Sequence, residues 1–106
     1  MLKEIALKYF EYWSSKNLEK ISLLLDDECK LEDWTHSLDN KKDIINLNKE
    51  FFNTNDVDLK INSLVENSDK VWAHISIKIN EDENLDVVDI LTFKDMKITK
   101  IKAFKG

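Results

Sequence analysis

Asp89 lies in the run Asp86-Val87-Val88-Asp89-Ile90-Leu91-Thr92-Phe93, and its side chain shares the period-two face of Val87, Leu91 and Phe93. An ionised carboxylate in an apolar setting is costly, so such a group takes up a proton or finds a strong donor. Tyr9 and Asp33 also fall on faces whose other residues are apolar. Together they offer a carboxylate, a phenolic hydroxyl and a carboxyl whose apolar surroundings favour its protonated form, the materials of an acid-base site. Each also has a plainer reading: a satisfied core tyrosine, a turn-capping aspartate, a structural hydrogen-bonder.

The elements that must position these groups follow from periodicity. Leu2, Ile5, Ala6, Tyr9, Phe10 and Trp13 recur at three- and four-residue spacing and predict an amphipathic helix with Tyr9 mid-stripe. Asn17 caps a second helix burying Leu18, Ile21, Leu24 and Leu25, closed by Asp26-Asp27. Alternation from Cys29 to Trp34 predicts a short strand with Asp33 on the side of Cys29 and Leu31. A third helix is expected over 41–52, capped by Asn40 with Asp43 in its first turn and carrying Ile44, Leu47 and Phe51. After Asn55 the period becomes two, giving strands near 57–66, 70–80, 84–94 and 97–104 joined by turn-prone segments. Their short connections imply antiparallel neighbours. The layout is α+β: a cone-shaped roll of three N-terminal helices packed on a curled antiparallel sheet, one domain over residues 1–106.

Composition narrows the function classes. With a net charge of -5, no basic block and no Arg, the chain lacks the clustered cations and planar clamps suited to nucleic acid, which is not an expected partner. The only Gly is Gly106 and there is no Pro, so neither a Walker loop nor a dinucleotide-binding turn can be written, and no cofactor is expected. Cys29 is alone, which fits a reducing compartment. Lys3, Glu4, Lys8 and Glu11 interrupt the N-terminal apolar residues, arguing against a signal peptide or membrane span. A cytoplasmic protein without membrane contact is the expectation. His36, His74 and Cys29 show no paired spacing, so no metal site is expected. The acidic run 80–86 has Leu85 and Leu91 where a calcium loop needs Gly and Glu, and reads as a solvated turn.

Taken together, Lys8-Tyr9-Phe10-Glu11-Tyr12-Trp13, Asn17-Leu18-Glu19, Leu24-Leu25-Asp26-Asp27, Leu31-Glu32-Asp33 and Val88-Asp89-Ile90-Leu91-Thr92-Phe93 resemble the nuclear transport factor 2-like superfamily. That superfamily includes SnoaL-like proteins and ketosteroid isomerases. The resemblance implies a cone whose open end admits a flat apolar ligand, with Tyr9 as the helix-one tyrosine, Asp33 as the catalytic base and Asp89 as the hairpin acid. It differs in placing Trp34 where isomerases often carry Pro. The remaining walls are expected from Phe10, Trp13, Ile44, Phe51, Val71, Ile75 and Ile101, with His36 at the rim either as an acid-base group or as a solvated loop residue. The expected function is binding of a small apolar metabolite, with isomerase- or cyclase-like proton transfer through Asp33. The alternative is a non-catalytic ligand carrier or interaction module of the same fold. Trp72 and His74, on the outer face of their strand, point to a homodimer through the sheet's back face.

Overall fold

The computed structural model describes residues 1–106. Helix α1 covers Leu2–Ser14 and α2 covers Leu18–Leu24, where the Asn17 side chain accepts from the Lys20 amide and so satisfies one of the first-turn donors. Strand β1 is Leu25–Glu32, β2 is Ser37–Leu38, and α3 is Lys41–Thr54 with Asn40 accepting from the Asp43 amide. The rest is the meander β3 (Val57–Asn67), β4 (Lys70–Ile79), β5 (Glu83–Lys94) and β6 (Lys97–Lys105). No helix is long and apolar enough to cross a membrane.

The six strands form one sheet in the order β2-β1-β6-β5-β4-β3. All neighbours are antiparallel except β1 and β6, which run parallel. Register shifts at Ile61/Ser63 and at Thr92/Phe93 insert extra residues and bend the long strands, as bulges do. The curled sheet wraps its inner face around the helices: α1 lies against β3 and β4, and α3 against β1. Along β4 the buried set is Val71, Ala73, Ile75 and Ile79, and along β5 it is Val87, Asp89, Leu91 and Phe93, the period-two faces the alternation predicts.

Three local assignments differ from the sequence-based expectation. Leu25 is not the last buried position of α2 but the first residue of β1, extended and paired with Ile98 of β6. The strand therefore starts earlier than Cys29 and ends at Glu32. Asp33 and Trp34 leave it in a turn closed by the Asp33 amide donating to the His36 carbonyl at 2.9 Å. That turn returns the chain as β2, with Leu31 opposite Leu38.

The helices are tied together by polar and aromatic contacts. Lys16, which adopts φ 59° just after α1, sends its ammonium to the carbonyls of Phe52 and Asn55 at 3.0 and 2.6 Å. A cation at these unsatisfied carbonyls suits the negative end of the α3 dipole. Trp13 packs edge-on to Phe52 with ring centroids 5.1 Å apart and also meets Phe51. These contacts fix how α1 and α3 face each other over the open end of the sheet.

Candidate functional site

Between α1, α3 and the inner sheet face lies a chamber of about 120 Å³, lined mainly by apolar side chains that include Phe10, Trp13, Leu31, Ile75 and Ile101. Its polar lining is Tyr9, Asp33, Asn48 and Asp89. Outside it a vestibule of about 310 Å³ adds Thr35, His36, Phe51, Ile79 and Glu83. The two share Trp13, Asp33, Trp34, Leu47, Asn48 and Ile77, so they are successive parts of one funnel. The inner part approaches the ~150 Å³ that accommodates a benzene ring.

The register explains why there is a hollow above Asp89. On the inner face Asp89 stands between Ala73 of β4 and Ala103 of β6, the smallest apolar neighbours it could have. Flanking residues with larger side chains would fill the space that Tyr9 and Asp33 also line. Asp89 is 8% exposed, and no group of the chain donates a hydrogen bond to its carboxyl. Burial, and after it the negative charge of Asp33, raises its pKa from 3.8 to about 7. Asp89 therefore holds a proton through the acidic range up to about neutrality.

Tyr9 comes from the middle of the α1 stripe, 4% exposed, and its hydroxyl makes no hydrogen bond within the chain. Burial, then the charges of Asp89 and Cys29, push the phenol well above its ordinary range. It stays a neutral donor. Burial also pushes Cys29 up to about 12, with Asp26 raising it further and Lys41 opposing, so the thiol is a packing group and no nucleophile.

Asp33 does two things at once. Its Oδ1 accepts the amides of Thr35 and His36 at 2.8 and 2.6 Å, the turn-capping role available to any aspartate at a strand end. Its Oδ2 has a single longer contact, 3.3 Å to Nδ1 of His36. The same ring nitrogen lies 2.8 Å from Oγ of Thr35, so His36 bridges the carboxylate to the vestibule wall.

The three polar residues singled out in the sequence thus line one chamber, together with Phe10, Trp13, Ile75 and Ile101. Phe51 and His36 lie further out, in the vestibule. Ile44 and Val71 do not reach either space. Both are fully buried: Ile44 one turn before Asn48 on α3, and Val71 opposite Leu91, four residues along β4 from Ile75, or about 13 Å. The hollow occupies the other half of the sheet. Sequence reasoning missed Asn48, Trp34 and Ala103. A polar residue at the i+4 position from Ile44 and the i-4 position from Phe52 was the available signal for Asn48. No group of three or more His, Cys, Asp or Glu side chains converges in the way a metal centre needs.

Residues 6–101 match the SnoaL-like domain family, and the chain belongs to that family. Among solved structures it is similar to a provisionally assigned ketosteroid isomerase from Kribbella flavida, with TM-score 0.91 and 20% identity over 99% of this chain and 77% of the other. It is also similar to an NTF2-like protein of unknown function from Cytophaga hutchinsonii, with TM-score 0.88 and 8% identity over 100% and 90% of the two chains. An LEH-like epoxide hydrolase of M. tuberculosis follows with TM-score 0.86 and 10% identity over 97% and 80%. At these identities the likeness concerns the α+β cone fold. The comparison with curated proteins finds no significant match.

Proposed function

We infer that this protein binds a small, largely apolar carbonyl compound in the chamber and moves a proton at the carbon beside the carbonyl. The observation that carries this reading is that the Tyr9 hydroxyl and the Asp89 carboxyl, neither partnered within the chain, share one apolar chamber with Asp33. Buried polar groups are ordinarily satisfied, so two unpartnered donors in one hollow suit a ligand oxygen. In the reaction the C–H bond breaks, its proton passes to Oδ2 of Asp33, and its electron pair forms the enolate. The charge on the enolate oxygen is met by the Tyr9 hydroxyl and protonated Asp89. Return of the proton at another carbon isomerises the compound. Attack of the enolate carbon on a second carbonyl of the same compound closes a ring instead: the new C–C bond forms as that C=O π pair passes to its oxygen, and the oxygen takes up the proton held by Asp33. The name carried by the Kribbella flavida neighbour, ketosteroid isomerase, belongs to this chemistry.

The test is exchange of α-hydrogens for deuterium in 4-hydroxyacetophenone and 4-hydroxycyclohexanone, followed by proton NMR in D₂O. The wild type should accelerate exchange above buffer and Asp33→Asn should not. No acceleration with either ketone, or full activity in Asp33→Asn, sinks the reading.

A second reading concerns the other side of the sheet. The register aligns Val65, Trp72 and Ile90 in one row and His74, Val88 and Phe104 in the next, on the face turned away from the helices. Val65 is 57%, Trp72 45% and Phe104 49% exposed, a contiguous apolar area rimmed by the His74–Asp86 pair at 2.5 Å. This patch suits a second copy of the chain, giving a homodimer with both chambers open.

A further inference from the structure

On α3 the residues Ile44, Asn48 and Phe52 repeat at four-residue spacing and form the buried face. Asn48 is 8% exposed, its side-chain nitrogen is wholly buried, and that nitrogen has no acceptor. Leaving a buried donor unpaired is costly, and a leucine would fit the stripe without that penalty. The amide is not committed to the carboxylates either. The groups that meet the Asp33 carboxyl belong to Thr35 and His36, and Asp89 is perturbed by burial and by the Asp33 charge. Asn48 lines both the chamber and the vestibule, so the residue stands where the two meet.

From this geometry we propose that Asn48 is a ligand-binding residue that donates to a second oxygen of the bound compound, on the vestibule side of its carbonyl. This rests on the carbonyl reading above and narrows its substrate class. The ligand is a small carbonyl compound bearing a further acceptor oxygen, a hydroxyl or a second carbonyl, which reaches outward past Trp34 while the first oxygen meets Tyr9 and Asp89. A compound without that oxygen leaves the amide desolvated and unpaired, and a site built to hydrogen-bond its ligand rejects such analogues.

Two phenols of nearly equal shape test it, the hydroxyl standing in for the enol oxygen: 4-hydroxyacetophenone carries the second acceptor, and 4-isopropylphenol lacks it. Their affinities for wild type and Asn48→Leu are read by titration calorimetry, with Asn48→Met as a second apolar replacement should the first not fold. The ratio of the two affinities should shift by about tenfold against the acetyl compound on replacement, while thermal stability holds or rises. An unchanged ratio overturns the proposal, whether or not stability falls, because a purely structural Asn48 affects both probes alike. Failure of the wider reading looks different: the wild type binds neither probe, or Tyr9→Phe binds both as tightly as wild type, and either result overturns both readings.

Discussion

Asp89 is kept protonated first by its burial and then by the negative charge of Asp33, which lines the same chamber. The two carboxyls differ in setting: Asp33 is held by turn amides near the mouth, and Asp89 sits between two alanines with no donor in the chain. That difference separates a base from an acid within one hollow.

The stability of the fold should record this. Asp89 has a folded-state pKa of about 7 against an ordinary 3.8, so between those values the native state binds more protons than the unfolded state. Its contribution is complete below about pH 4 and is lost as pH rises through 7. The loss is on the order of a few kcal/mol across that window, which corresponds to roughly 10–20 °C in Tm. Thermal unfolding from pH 5 to pH 8.5 should show a falling Tm in the wild type and a much flatter profile in Asp89→Asn. Parallel profiles would mean that Asp89 titrates normally.

Much of this site is legible in the sequence because its side-chain directions are set by local periods. Asp89 faces inward since alternate residues of a strand must share a face, and Tyr9 follows from the α1 stripe. What needed coordinates depends on strands brought together from distant positions. Leu25 reads as a helical residue until Ile98 pairs with it, and the parallel β1–β6 contact spans most of the chain. Ala73 and Ala103 are unremarkable singly and become the reason for the hollow once the register sets them on either side of Asp89. Asn48 escapes the periodicity because the stripe through Ile44, Leu47 and Phe51 passes beside it, whereas the most buried positions are Ile44, Asn48 and Phe52.

Base and donors should separate kinetically. In the deuterium-exchange assay, Asp33→Asn removes the proton acceptor and should cut the rate by about 10²–10⁴-fold while leaving phenol affinity within a few-fold of wild type. Tyr9→Phe removes a donor to the enolate oxygen and should cost about 10²–10³ in rate, and it should weaken phenol binding as well. Equal losses of affinity in both variants would contradict the division of roles.

Association through the back of the sheet should depend on Trp72 and be indifferent to the chamber. Removal of a central aromatic anchor typically costs about 2 kcal/mol or more, so Trp72→Ala should raise the dimer dissociation constant roughly 30-fold in sedimentation equilibrium. Asp33→Asn should associate as the wild type does. A Trp72→Ala protein with unaltered sedimentation would remove the back face as the contact surface.

The hollow itself can be tested without touching any polar group. Ala103 lines the inner chamber and is the β6 neighbour of Asp89, so a larger side chain there grows into space that the fold leaves empty. Ala103→Leu adds apolar contacts without evicting a packed neighbour, and Tm should hold or rise by a few degrees, unlike substitutions that overpack a filled core, which typically cost about 1–3 kcal/mol. Affinity for 4-isopropylphenol and the exchange rate should both fall at least about tenfold, because the ring can no longer reach Tyr9 and Asp89. The burial of Asp89 deepens at the same time, so its pKa should move further up and the stability loss with rising pH should shift to higher pH. If Ala103→Leu binds the phenol as well as wild type, the ligand sits elsewhere, and the inward-facing Tyr9 and Asp89 are core groups without a substrate.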